Sequence, residues 1–329
     1  MSWKNKKILI TGAAGFIGSH LTERLAKQCS SVRVFIRYNS RNDWGLLEDL
    51  PRKFLNNLEI VSGDLKDEDA VNKAMKGIDV VFHLAALIGI PYSYVHPKDV
   101  FETNTMATFN VLNAALEQGV GKIVHTSTSE VYGTAKYAPI DENHPLQGQS
   151  PYSASKIGAD KVAESYYKSF KLPVATIRPF NTYGPRQSAR AVIPTIISQV
   201  LTQKKIKLGS LSPKRDFTYV EDTVNAFIKI AETEQTIGEV INVGSGAEIS
   251  IKELFGLILK LTGKQVEVDI DTKRVRPKDS EVGRLIADNS KAKKILKWQP
   301  VVPLKEGLKR TIEWFEQQNK ACKEKIYNI

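Results

Sequence analysis

Three groups of side chains in this 329-residue sequence have types and spacings that can do chemistry. The segment TSTSEVYG, residues 126–133, follows an apolar run, KIVH, and so places Thr128, Ser129 and Glu130 where a buried strand ends. A carboxylate there reads in two ways, as a turn residue meeting water or as a base facing a substrate. YSASK, residues 152–156, sets Tyr152 and Lys156 four apart, on one face of a predicted helix. A free tyrosine titrates near ~10, so serving as a base at neutral pH requires a neighbouring cation, which Lys156 supplies. Taken alone, the pair also fits two surface residues on a helix. TGAAGFIG, residues 11–18, spaces Gly12, Gly15 and Gly18 directly after a strand and before a helix. A turn without side chains lets backbone N–H groups and the helix amino-terminal dipole approach a pyrophosphate. Glycine-rich turns also join strands to helices with no ligand at all.

These groups need elements to hold them. Short β-branched runs (KILIT, SVRVFIR, LEIVSGD, DVVFHLAA, KIVHTST, PVATIRP) alternate with helical patterns, which predicts a parallel sheet with helices on both faces. Runs as apolar as VVFHLAA are expected of strands buried on both sides. Periodicity assigns Ile17, Leu21 and Leu25 to the core face of the first helix, and Phe109, Leu112 and Leu116 to that of a helix ending at Gly119. Beyond Pro179 the pattern loosens, punctuated by Pro185, Pro194, Gly209 and Pro213. The expected fold is α/β, a Rossmann-type doubly wound parallel sheet over residues 1–180 with a smaller α/β substrate lobe from residues 181–238 and 245–329. The strand at about 239–244, in GEVINVG, is expected to return to the main sheet, and a last helix from about Pro303 to pack through Leu304, Leu308, Ile312 and Phe315.

Composition narrows the function classes. Hydrophobic residues at 42% and charged residues at 25% are ordinary for a globular protein. The excess of 47 Lys plus Arg over 36 Asp plus Glu lies in small scattered groups rather than one stripe or tail, which reads as solvated faces and not as a nucleic-acid or membrane surface. Cys29 and Cys322 are far apart and lack ligand spacing, so no disulfide framework or metal site is expected, and a reducing compartment fits. The start, MSWKNKKILITG, lacks the pattern of a signal peptide, and the longest apolar run is too short to span a bilayer. A cytoplasmic protein is expected.

A dinucleotide-binding sheet usually ends its second strand with an acid that holds the ribose hydroxyls. Here Arg37 stands there, with Arg41 close behind. Arginine accommodates a 2′-phosphate, so NADP is expected, with NAD the alternative if Arg37 is simply exposed. Asp64, in GDL after the third strand, either accepts from an adenine amino group or closes a turn.

Together, TGAAGFIG, HLAA at 83–86, TST at 126–128 and YSASK resemble the extended short-chain dehydrogenase/reductase family over nearly the whole chain. RPFNTYGPRQ at 178–187, KRDFTYVEDT at 214–223 and RPKD at 276–279 resemble the substrate-lobe motifs of nucleotide-sugar epimerases, dehydratases and decarboxylases. The resemblance implies a catalytic set of Thr128, Tyr152 and Lys156. It implies cofactor contacts from Gly12, Gly15, Phe16, Ile17, Gly18, Arg37, Asp64, Leu65, Leu84, Ala85, Ala86, Tyr152 and Lys156. Asn181, Arg190, Arg215 and Arg276 would hold the diphosphate of a nucleotide-sugar substrate, a task that bidentate arginine suits. It also implies a homodimer in which helices 99–119 and 152–170 form a four-helix bundle.

Within that family the TSE triplet separates chemistries. Four-epimerases withdraw and return hydride at carbon 4 and usually resemble SSxxVYG, without an acid before the valine. A 4,6-dehydratase must also remove the carbon 5 proton, acidified by the new ketone, and expel the carbon 6 hydroxyl, which calls for a carboxylate base. Glu130 matches the position of that base. Thymidine-diphosphate-glucose dehydratases carry aspartate as acid at the place of Ser129; serine there resembles GDP-mannose dehydratases, which also place arginine after the second strand and use NADP. Whether Glu130 itself or a water protonates the leaving hydroxyl stays open at this point. Glucuronate decarboxylases share TSE but carry a YDExKR helix and a PASP-like loop, where this chain has YSASK and LIGIPYSY. VRVFIRYNSRNDWG and RPFNTYGPRQSARAVIP resemble bacterial dehydratases acting on nucleotide-activated N-acetylglucosamine in legionaminic acid synthesis. The implied cycle has Tyr152 take the carbon 4 hydroxyl proton as hydride passes to the nicotinamide, Glu130 drive loss of water across carbons 5 and 6, and hydride return at carbon 6. A 4-epimerase is the runner-up, followed by a glucuronate decarboxylase and a non-catalytic NADP-sensing regulator.

Overall fold

Ile8 and Ile10 face one core and Leu9 the other, and all three are buried, as a strand covered by helices on both sides requires. The computed structural model describes residues 3–29 and 31–318, so Cys322 lies outside the described residues. In it the apolar runs become β1 (Ile8–Thr11), β2 (Val32–Arg37), β3 (Leu58–Gly63), β4 (Val80–His83), β5 (Lys122–Thr126) and β6 (Val174–Pro179). Further along come β7 (Asn181–Tyr183), β8 (Lys205–Leu208), β9 (Lys214–Arg215), β10 (Phe217–Tyr219) and β11 (Val240–Val243). One seven-stranded sheet has the order β11-β6-β5-β4-β1-β2-β3, parallel throughout. This is the Rossmann-type α/β arrangement expected from the alternating pattern. β11 pairs with β6, from Val240 against Thr176 to Val243 against Pro179.

The chain winds outward from β1 through β2 to β3 and then crosses to β4 on the other side. Ligands of such sheets bind in the crevice beyond the strands' carboxyl ends at that switch point. Register delivers the chemistry-bearing segments to it: Thr11 pairs with His83, and His83 with His125. The residues that follow, TGAAGFIG, HLAA and TSTSE, therefore emerge side by side. β7 and β10 form a separate parallel pair, while β9 and β8 pair with Ile249–Ser250 and Glu267–Ile270.

The last helix, Leu304–Gln318, buries Leu308 and Ile312 and rests Leu304 and Phe315 on the same core. One residue departs from the face the sequence predicts, while Leu112 and Leu116 of that face do meet the core. Helix Ala107–Glu117 buries Ala107, Val111, Leu112, Ala114 and Ala115, whereas Phe109 is exposed. Alanines let this helix sit close to its neighbours, and the bulkier Phe109 is turned outward onto Tyr166, ring centroids 6.0 Å apart. Among the described residues no helix is long and apolar enough to cross a membrane.

Candidate active site

Ser150 and Ser153 form a reciprocal capping box, with Pro151 at the first helical position, and so start helix Pro151–Phe170 just before Tyr152. One helical turn then separates Tyr152 and Lys156, both buried beside the end of β5. Lys156 Nζ donates to the Thr126 carbonyl at 2.6 Å. Burial pushes the Lys156 ammonium down to about 8, with the Asp160 carboxylate pulling the other way. Burial also pushes the Tyr152 phenol well above its ordinary range; a hydrogen bond with Thr128 opposes this, and the charges of Glu130 and Asp160 add to it. Burial thus favours the protonated phenol, and a positive charge close to its oxygen would shift it toward the phenolate. Thr128 Oγ1 accepts from the Glu130 N–H at 3.2 Å and caps the 3₁₀ turn Ser129–Tyr132. Ser129 is buried, while Glu130 is partly exposed.

Beneath this pair lies a buried polar network. Asp160 takes Ser127 Oγ at 2.8 Å, His125 Nε2 at 3.1 Å and the Arg178 Nη2 at 2.8 Å. Arg178 Nη1 donates to the Tyr132 hydroxyl at 2.9 Å, which donates to Asn242 Oδ1 at 2.7 Å. Burial alone would raise Asp160, but the His125 hydrogen bond and the Arg178 charge outweigh it and hold the carboxyl at about 2. On the other side, His83 bridges Thr11 Oγ1 at 2.7 Å and Thr108 Oγ1 at 3.0 Å, tying β4 to the start of the glycine turn.

Sequence reasoning missed Asn104. It sits in one π-helical turn, Glu102–Met106, a feature often found at functional sites. Its amide clamps both Leu87 backbone groups, accepting the N–H at 2.7 Å and donating to the carbonyl at 2.9 Å, and also donates to Ser155 Oγ at 2.9 Å. It thus joins the loop after HLAA to the YSASK helix. The available signal was a buried-type position held by asparagine in the otherwise helical ETNTMATFNVL. Asn104→Ala is expected to cost about 1–3 kcal/mol, because two backbone groups and a hydroxyl lose their partner; denaturant unfolding measures it.

The glycine turn fits a dinucleotide. A Cβ on Gly12, where φ is +73°, would lie 2.6 Å from the Ala85 N–H nitrogen, and one on Gly18 would lie 2.1 Å from the Gly12 carbonyl. The turn therefore lies flush against Leu84 and Ala85. Helix Phe16–Ala26, with Ile17 in its first turn, begins at Gly15 with no side-chain cap, which leaves its first N–H donors for an anion. Arg37 is exposed at the end of β2, and its charge acts on Asp99 and Tyr92. Asp64 Oδ1 accepts from the Lys66 N–H at 2.9 Å, so it closes a turn. Leu65 is buried and its carbonyl accepts from Asn110. Ala85 N–H donates to Thr11 Oγ1 at 3.3 Å, and Leu84 and Ala86 are half-buried beside it.

Facing Tyr152 across the crevice is an ion cluster. Arg215 is buried on β9, its Nη2 3.4 Å from Glu281 Oε1. Arg276 Nη1 lies 3.8 Å from Glu130 Oε2 and 3.9 Å from Glu281 Oε1. Asn181 is in register with Phe217, two residues beyond Arg215, and its Nδ2 is buried with no hydrogen-bond partner. Arg190 is exposed, and no ion pair links it to this cluster. Glu281, absent from the sequence reading, follows Arg276 by five residues in RPKDSE.

With this geometry in place, comparison decides the family: the GDP-mannose 4,6 dehydratase family pattern matches residues 9–311. The chain belongs to that family. Similarity within it spans two chemistries. The mouse dTDP-D-glucose 4,6-dehydratase is 34% identical over 95% of this chain and 89% of its own length. The dTDP-glucose 4,6-dehydratase DesIV of Streptomyces venezuelae, solved with NAD bound, has a TM-score of 0.83 at 30% identity, covering 94% of this chain and 97% of its own. The UDP-N-acetylglucosamine 4-epimerase of Methanobrevibacter ruminantium has a TM-score of 0.86 at 31% identity, covering 96% and 99%. A dehydratase-family fold thus accounts for nearly the whole chain, and it is shared by relatives of both reactions.

Proposed function

We propose that this chain is an NADP-dependent nucleotide-sugar 4,6-dehydratase that converts GDP- or UDP-linked N-acetylglucosamine to its 4-keto-6-deoxy derivative. The observation that carries the reading is the Glu130 carboxylate, 3.8 Å from Arg276 and near enough to Tyr152 and Arg215 to act on their charge. Redox chemistry at carbon 4 needs the tyrosine, the lysine and a hydroxyl; an ionisable group beside them is what elimination adds.

Arg215, Arg276 and Asn181 would hold the diphosphate. Gly12, Gly15, Gly18, Arg37 and the Leu84–Ala86 backbone would hold the dinucleotide, which when bound supplies a reversible acceptor for hydride. On the protein's side, Tyr152 takes the carbon 4 hydroxyl proton. Lys156, at about 8, carries its positive charge at neutral pH and favours the phenolate that does so. Thr128 orients the same phenolic oxygen. Glu130 then removes the carbon 5 proton; that electron pair forms the carbon 5–carbon 6 double bond as the carbon 6 hydroxyl departs. Ser129 has no carboxyl, so Glu130 returns its proton to the leaving group and water is released; return of the hydride at carbon 6, with the proton held by Tyr152 passing to carbon 5, completes the 4-keto-6-deoxy product.

NADP specificity draws on Arg37. Arg37→Ser is expected to weaken NADP about tenfold relative to NAD, the loss of one charged hydrogen bond, in parallel calorimetric titrations. A homodimer is supported by exposed Phe101, Met106, Phe109 and Phe170 on the two helices that would pair. The sparse cysteines suit the cytoplasm.

The decisive assay gives purified protein UDP- or GDP-N-acetylglucosamine without added reductant. The expected product is lighter by one water. Recovery of the 4-epimer alone would establish the second reading, a 4-epimerase, which the epimerase among the similar structures favours.

A further inference from the structure

We propose that Glu281 is a positioning residue: it shares Arg276 with Glu130 and holds Arg215 alongside, so that the substrate diphosphate draws both guanidiniums away and leaves Glu130 unpaired as the base. The inference rests on the reading of Glu130 as the base of a dehydration.

Arg276 Nη1 stands between two carboxylates at nearly equal distance, 3.8 Å from Glu130 and 3.9 Å from Glu281. Both distances exceed hydrogen-bond length. The nitrogen is buried and has no hydrogen-bond partner. A desolvated donor that neither carboxylate has captured is available to a third anion, and the diphosphate is the one that belongs in this crevice.

The backbone explains why Glu281 is the fixed member. Thr134 Oγ1 donates to its carbonyl at 3.3 Å, Tyr94 OH meets Ser280 Oγ at 2.6 Å, and Gln149 Nε2 donates to the Asp279 carbonyl at 3.3 Å. Residues 279–281 are thus strapped to the Rossmann side of the crevice. Arg215 is nearly fully buried, and burial disfavours its charge while Glu130 and Glu281 favour it. Two arginines and two carboxylates leave the cluster close to neutral. Without Glu281 it would carry an extra positive charge, and Glu130 would be the one acid facing Arg276.

This predicts opposite effects on binding and turnover. Removing the charge with Glu281→Gln is expected to tighten UDP and GDP by about fivefold, the scale of a partly exposed ion pair. Turnover of the saturating nucleotide sugar is expected to fall by about tenfold, because Arg276, no longer shared with Glu281, pairs with Glu130 and competes with the carbon 5 proton for the base. Glu281→Asp, which keeps the charge, is expected to move both values back toward the parent. Titration calorimetry of UDP and GDP needs no turnover, so it tests Glu281 even if the sugar product is an epimer rather than a dehydrated ketone. UDP and GDP affinity that falls together with turnover in Glu281→Gln would mark a merely structural role and overturn the proposal, as would no change in either. A Glu281→Asp variant as impaired as Glu281→Gln would overturn it too.

Discussion

Glu130→Gln is expected to slow water loss from nucleotide-activated N-acetylglucosamine by about 10²–10⁴-fold, the usual contribution of a positioned general base. Glutamine keeps the volume and can still meet Arg276, but it cannot take the carbon 5 proton. Substrate affinity is therefore expected to change far less than turnover, the signature of an interaction made in the transition state. Mass spectrometry of timed reactions measures the dehydrated product directly. Undiminished dehydration by this variant would remove Glu130 from the mechanism. Tyr152 differs in setting: burial disfavours its charged form, whereas Glu130 is partly exposed and lies near Arg276 and Arg215.

The second large effect concerns stability. Asp160→Ala is expected to destabilise the fold by about 3–5 kcal/mol, because it leaves the buried Arg178 charge without its carboxylate. Arg178 donates to Asp160 Oδ2 through both Nε and Nη2, at 3.1 and 2.8 Å, and the pair is nearly sealed from solvent. The same pair sets an acid limit. Asp160 is held at about 2 in the fold, below the unfolded value near ~3.9. Its contribution is fully present above about 4 and disappears as pH falls toward about 2, since the unfolded chain binds the proton first. Guanidinium unfolding at a series of pH values is expected to show the parent losing stability across that window, and Asp160→Ala losing less of it. Equal acid sensitivity in both proteins would show that other carboxylates control the transition.

Much of this was legible before any coordinates. Buried strands announce themselves by composition, and glycines that let backbone segments approach each other closely leave a spacing that can be read directly, as at Gly12 against Leu84 and Ala85 and at Gly18 against Gly12. Tyr152 and Lys156 were legible because helical spacing is local. Of the stripe Phe109, Leu112 and Leu116, both leucines meet the core and Phe109 does not, because periodicity identifies an apolar stripe without fixing where its edge leaves the core. Asn104 and Glu281 escaped notice for a related reason. Each acts on residues distant in the chain, Asn104 on Leu87 and Ser155, and Glu281 on Arg215 and Arg276.

By itself, then, the sequence determined the parallel sheet, the glycine turn, the tyrosine–lysine pair and the presence of a carboxylate at a strand end, all consequences of local pattern and short-range geometry. Tertiary structure decided what that carboxylate faces. The register of β1, β4 and β5 and the return of residues 276–281 over the crevice bring Glu130, Arg276 and Glu281 within 4 Å of a shared centre, a meeting across 151 positions of chain. No local propensity encodes it, because charge–charge distance is a property of packed elements and not of spacing along the chain.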